Sequence, residues 1–225
     1  MNDELPRFEA QLDPRPHDNP WPDMAWPPVE GTALRGSFVE LTKLDPRRES
    51  QELWSLLSDD QVWSHLPFRP TGPEDLATHL SARESKGFYI WGVRLVRAVA
   101  SIQPGTLVGM TSYLDIAPSD ARIEVGGTAY APATWASPVN PEAKLLLLEY
   151  AFESLHVGRV QIKTDIRNVR SQQAIARLGA QYEGTLRRAQ RRADGTLRDS
   201  VMFSIIAEEW PSVRERLQAR LDAFA

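Results

Sequence analysis

Between residues 88 and 164 the apolar residues change period, and this constrains the fold more than any other feature of the chain. Phe88 to Val96, Leu107 to Ile116 and Arg122 to Tyr130 alternate as strands, with Gln103-Pro104-Gly105-Thr106 as a turn between the first two. Leu145, Leu148, Phe152 and Leu155 then recur at helical spacing behind Asn140 and Pro141, and Val160 to Thr164 returns to strand character. A meander that feeds a strand, helix, strand unit belongs to the α+β class with a mixed sheet.

The flanks fit the same class. Leu34 to Leu41 reads as a first strand, and Asp45-Pro46 opens a helix through about Leu57, with proline where its missing N–H does no harm. Thr71 and Glu74 have capping-box spacing for a helix toward Lys86. Asn168 caps a helix that Gly179 stops after Leu178, Asp194-Gly195 joins a hairpin, and a last helix follows Pro211.

Ahead of this body, residues 1 to 30 hold seven acids, two arginines and seven of the 17 prolines, among them Pro6, Pro14, Pro16, Pro20 and Pro22. That composition predicts an extended acidic arm followed by one domain over 31–225. Trp21, Met24 and Trp26 predict that the arm docks, because a solvated linker seldom carries two tryptophans.

Composition narrows the chemistry. A net charge of -4 and a pI near 5.6 give no bulk attraction to nucleic acid or anionic membrane. The absence of cysteine removes thiolate nucleophiles and thiolate metal sites. The start lacks a secretory pattern and no apolar run reaches membrane length, so a cytoplasmic location is expected. His17, His65, His79 and His156 lack ligand spacing, and no metal is assigned. Phosphate-loop, dinucleotide-glycine, zinc-protease and nucleophile-elbow motifs are absent.

What remains distinctive is a set of strings in this order of elements: Asn140-Pro141-Glu142-Ala143-Lys144, Lys163-Thr164-Asp165-Ile166-Arg167-Asn168-Val169-Arg170-Ser171, Ala174-Ile175-Ala176-Arg177-Leu178-Gly179-Ala180, Glu183-Gly184-Thr185-Leu186-Arg187 and Asp194-Gly195-Thr196-Leu197-Arg198-Asp199. Together they resemble the GNAT N-acetyltransferase superfamily, in its RimJ/RimL-like branch, over nearly everything after the arm. The resemblance implies a mostly antiparallel seven-stranded sheet with one splayed parallel pair and flanking helices. It implies acetyl-CoA as cosubstrate and direct acetyl transfer to a primary amine, either a protein N-terminus or a small amine, by a monomer or homodimer.

The same resemblance assigns residues. Pantetheine would pair with the strand edge at Thr128, Ala129 and Tyr130, as an added strand would. The pyrophosphate would meet Trp135, Ala136, Ser137 and Val139 and the helix start at Asn140, Glu142 and Ala143, where free N–H groups favour anions. Asn168 and Ser171 would face the cofactor arm; the residues alone read equally as an N-cap and its N3 partner. Ala136 and Pro138 stand where the family carries glycines, which predicts weaker phosphate cradling or a reshaped loop, with Ser137 donating and Trp135 covering in compensation. A GNAT-fold binding protein without catalysis is the alternative these departures suggest.

Glu124, on the strand lining the cleft, is the candidate base, with a salt bridge to Arg122 as its other reading. Ser171 or Tyr130 would return the proton to the CoA thiolate, since the family's tyrosine is replaced by the Ile175-Ala176-Arg177 turn. Trp63, His65 and Phe68 form one wall of the acceptor pocket or, for the apolar pair, part of the core. Arg187, Arg188, Arg191, Arg192 and Arg198 read as a solvated hairpin paired with Asp194 and Asp199; a phosphate, an acidic substrate or RNA is the other use for them.

Overall fold

The computed structural model describes residues 9, 10, 12 and 20–224. Pro6, Pro14, Pro16 and His17 of the expected arm lie outside the described residues. In chain order the elements are β1 (Ala33–Arg35), β2 (Val39–Lys43), α1 (Pro46–Leu57), α2 (Asp60–Trp63), α3 (Pro73–Glu84), β3 (Tyr89–Leu95), β4 (Leu107–Ala117), β5 (Arg122–Tyr130), α4 (Val139–Glu149), β6 (Arg159–Asp165), α5 (Val169–Leu178), β7 (Gln181–Arg191), β8 (Leu197–Ile206) and α6 (Trp210–Asp222). One sheet takes all the strands in the order β1-β2-β3-β4-β5-β6-β8-β7, with β5–β6 the parallel pair.

The sheet has eight strands, not seven, because the stretch read as one strand from Leu34 to Leu41 is a hairpin. Its turn wraps a buried carboxylate: Ser37, Phe38 and Val39 donate their N–H groups to Glu142 at 2.8, 2.6 and 2.7 Å. A Cβ at Gly36 would collide with the same carboxylate, so glycine is required there for space. Glu142 lies on α4, and the turn therefore fastens the edge of the sheet to that helix.

Local signals set most boundaries. Asp45 Oδ1 accepts the Arg47 and Arg48 N–H groups at 3.0 and 3.2 Å to start α1. Asn168 Oδ1 accepts the Ser171 N–H at 3.0 Å to start α5, and Gly179, at φ 96°, ends it. At α3 the partner of Thr71 is Asp75 rather than Glu74: its N–H and hydroxyl meet Asp75 Oδ2 at 2.9 and 3.2 Å, and Gly72 is the N-cap.

The core has two parts. Ile123, Val125, Val160 and Ile162 pack on one side with α4 and α6, while Met110, Ala129 and Ile90 pack on the other with α1 and α3. Residues 20–30 lie against the first part. Trp21 donates to the His156 carbonyl at 2.9 Å, Ala25 to that of Leu155 at 2.9 Å, and Trp26 stands edge-on to Tyr89 and Tyr113.

Glu142→Ala strips three buried N–H groups of their acceptor, so it should cost about 3 kcal/mol or more. Urea unfolding at neutral pH measures this, and a loss under about 1 kcal/mol would contradict the fastening role.

Candidate active site

The parallel pair is closed at one end only. β5 and β6 pair through Arg122↔Arg159, Ile123↔Val160 and Glu124↔Gln161, after which β5 runs on to Tyr130 and β6 to Asp165 without facing each other. The divergence begins at a bulge. Between Met110↔Ala129 and Ser112↔Gly126, Gly127 and Thr128 of β5 stand opposite Thr111 of β4. Gly127 sits at φ 60°, a conformation that costs other residues energy. The extra residue turns Thr128 toward α4, where its hydroxyl meets that of Thr111 at 2.9 Å. The bulge bends β5 away from β6 and leaves facing strand edges on a cavity of about 610 Å³.

Lys144 of α4 fixes this arrangement, and sequence reasoning assigned it no role. Its Nζ lies 3.0 Å from Thr128 Oγ1 and 3.3 Å from Thr111 Oγ1 on the cavity wall. Burial among uncharged groups depresses its pKa to about 7. A lysine in a long-residue run on an apolar helix is a signal that could have found it.

The cavity brings together Thr128, Ala129, Tyr130, Trp135, Ala136, Ser137, Asn140, Asn168, Ser171, Glu124 and His65. Other expectations need correction. Glu142 is committed to the β1–β2 turn, and Val139 and Ala143 are wholly enclosed in the core behind the first turn of α4, so none of the three lines the cavity. Trp63 is buried, donating to the Leu57 carbonyl at 2.6 Å, and Phe68 packs against it at 5.3 Å; both are core, not acceptor wall. The Tyr130 hydroxyl is enclosed without a partner, and burial raises its pKa, so it cannot exchange a proton with the cavity.

The loop before α4 keeps the shape that glycine would give it. Ala136 takes φ 57°, a strained conformation for a residue with a Cβ. Ser137 does not offer its proton to a ligand: its hydroxyl donates to the Thr134 carbonyl at 2.6 Å and accepts the Val139 N–H at 3.3 Å. Trp135 is pinned to the Tyr130 carbonyl at 3.1 Å, with the Arg170 guanidinium over its ring at 4.1 Å.

Glu124 pairs with Lys163 Nζ at 2.7 Å and accepts from Gln161 Nε2 at 3.1 Å, both at Oε2, whereas Arg122 turns to Asp115 at 3.0 Å. Its Oε1 faces Gly126, where a Cβ would stand 3.0 Å away. His65 is held below its ordinary pKa, first by burial and then by Arg170, Arg192 and Arg198, so its imidazole is neutral at pH 7. The arginine hairpin is not uniformly solvated. Arg192 makes a two-bond pair with Asp165 at 2.6 and 2.8 Å, and Arg198 is buried on the cavity wall.

The sequence profile described as Acetyltransferase (GNAT) domain matches residues 39–181. The chain belongs to the GNAT acetyltransferase family. Its match to the curated N-acetyltransferase p20 of Bacillus licheniformis, itself described as uncharacterized, is 34% identical over 76 residues, spanning 34% of this chain and 42% of that relative. The structure of an assigned GNAT acetyltransferase from T. thermophilus superposes with a TM-score of 0.75 at 36% identity, covering 88% of this chain and 98% of the other. A probable GNAT acetyltransferase from Chromobacterium violaceum gives a TM-score of 0.79 at 28% identity, covering 92% and 100%. No helix among the described residues is long and apolar enough to cross a membrane.

Lys144 yields a pH signature in this GNAT chain. Its folded pKa of about 7 lies below the ordinary 10.5, so between those values the unfolded chain binds the extra proton. Its burial therefore costs most below pH 7, and stability recovers as pH rises toward 10.5. Lys144→Met should remove a rise of up to about 1.4 kcal/mol per pH unit over that window. Urea unfolding of both proteins at pH 7, 8 and 9 measures the difference; parallel pH profiles would contradict the assignment.

Proposed function

We propose that residues 31–225, with 1–30 as an appended arm, transfer an acetyl group from acetyl-CoA directly to a primary amine. The wedge between β5 and β6 carries this reading. Its exposed strand edge at Thr128 to Tyr130 suits the amides of pantetheine, and the start of α4 with the left-handed turn at Ala136 suits a pyrophosphate. Ala136 and the N-terminal turn of α4 supply backbone rather than side chains to that end. Asn168, Ser171 and Arg170 line the remainder of the path.

Bound acetyl-CoA supplies a thioester carbonyl open to attack by a neutral amine. An α-amino group, pKa ~7.7 to 8.0, is within reach of a modest base, whereas a lysine at ~10.4 asks more. Glu124 takes that proton through Oε1, directly or by one water, while Lys163 and Gln161 hold Oε2. The N–C bond forms, the C–S bond breaks, and the proton passes on to the thiolate, whose pKa of ~8.5 makes the return a small demand. Ser171 is the hydroxyl available for that return, since the one on Tyr130 is enclosed. Lys144 positions Thr128 rather than touching the reacting atoms. A chain without cysteine suits a reducing compartment, which supports a cytoplasmic acceptor pool.

Acetyl-CoA titrated by calorimetry should bind, and thiol release should follow addition of an amine acceptor. Glu124→Gln should lower kcat/KM by about 100-fold with the acetyl-CoA affinity within about threefold of the parent. Undiminished turnover would remove Glu124 as the base, and no binding at millimolar acetyl-CoA would overturn the function.

A further inference from the structure

The cavity is lined by seven arginine and lysine side chains and one carboxylate, Glu124. The cations divide between the two faces of the sheet. Arg170, Arg177 and Arg220 come from α5 and α6, which pack on the same side as α4, where the carrier's phosphates are proposed to lie. Arg83 and Arg198 belong to the other side. Arg83 comes from α3, and its guanidinium would lie 3.5 Å from a Cβ at Gly127. On β8, Arg198 follows the two-residue period of Ser200 and Met202, which pair with Asp165 and Lys163 of β6, so it shares the sheet face of Lys163, Gln161 and Glu124.

Neither guanidinium has an anion of its own. Arg198 is 5% exposed and its Nε is buried without a hydrogen-bond partner; its remaining contact is Nη1 with the His65 carbonyl at 3.5 Å. The carboxylates that act on it electrostatically, Asp165 and Glu124, are held by Arg192 and Lys163. Arg83 lies over the rings of Phe68 and Phe88 at 4.2 and 5.1 Å, and among the described residues no acceptor pairs with its guanidinium. Burial acts against the charge on both side chains. Buried cations are ordinarily matched, and here the matching charge is missing on the wall that also carries Glu124.

We infer that Arg198 and Arg83 form an anion subsite on the acceptor wall, and that the acceptor is an amine bearing a carboxylate, whose ammonium meets Glu124 while its carboxylate meets the two arginines. This rests on the transferase reading above and narrows its substrate class. Polyamines and neutral amines lack the matching group. Two sources present the same chemistry: a free amino acid, through its own carboxylate, and a peptide N-terminus followed by an acidic residue.

The test measures kcat/KM for thiol release with L-amino acids against their amides, and with short peptides carrying Asp against Ser at the second position, alongside spermidine. The acid should exceed its amide, or the Asp peptide its Ser counterpart, by at least about tenfold, and the arm that shows the preference names the source. Arg198→Met and Arg83→Met should each shrink that ratio to within about threefold, mainly through KM, with the acetyl-CoA Kd unchanged. Equal rates for charged and neutral partners in both arms of the parent protein, or a preference for spermidine, would overturn the subsite whatever the variants do. So would an Arg198→Met protein whose acetyl-CoA affinity falls more than about tenfold with the ratio intact, because the guanidinium would then serve the carrier's phosphates. Failure of acetyl-CoA binding altogether is the separate outcome that overturns the transferase reading and this inference with it.

Discussion

One extra residue in β5 governs the rest of the structure. A regular strand from Arg122 to Tyr130 would stay in register with β6 and close the sheet. With Gly127 and Thr128 opposite Thr111, β5 bends after Glu124 and the inner edges of two strands face an open cavity. Unpaired strand edges are a liability in most sheets, since they invite pairing with other chains. Here they lie inside a cleft walled by helices on both sides, where the partner that completes them is selected by shape. The bulge is held by a glycine at φ 60° and by the contacts Lys144 makes with Thr111 and Thr128.

The electrostatics follow from that division. On the α4 side, the strained loop at Ala136, the opening turn of α4 and Arg170 over Trp135 present positive character to one end of the cleft. On the α1–α3 side, Glu124 sits between Lys163 and Gln161 at the closed end of the parallel pair, with Arg198 and Arg83 nearby. Between them Lys144 holds close to half of its charge at pH 7, which lets an amine stand in the interior without an acidic partner. The cost appears in stability rather than in chemistry.

Periodicity and punctuation made most of the elements legible. Asp45, Asn168, Gly179 and Asp194-Gly195 act through neighbours in sequence, and each marks a boundary near its expected place. The features that escaped depend on partners far along the chain. Nothing in Leu34 to Leu41 reveals a hairpin, because the carboxylate that organises its turn comes from Glu142, more than 100 residues later. Thr71 bonds Asp75 because the cap falls one residue later than the box spacing suggests. Within the site, the residue types pointed to the correct strands and loop, but side-chain direction did not follow. Ser137 turned its proton inward, Tyr130 buried its hydroxyl, and Trp63 and Phe68 joined the core. Lys144 stood within a motif the sequence had already singled out, yet a lysine on a helix ordinarily reads as solvated.

Amide hydrogen exchange with and without acetyl-CoA tests the wedge most directly, because it reports whether the free edge of β5 acquires a partner. The account predicts that saturating acetyl-CoA slows exchange in peptides covering Gly126 to Ala131 and the first turn of α4, and leaves the closed end at Arg122 and Ile123 unchanged. Binding that protects other segments while Gly126 to Ala131 exchanges as before would contradict it.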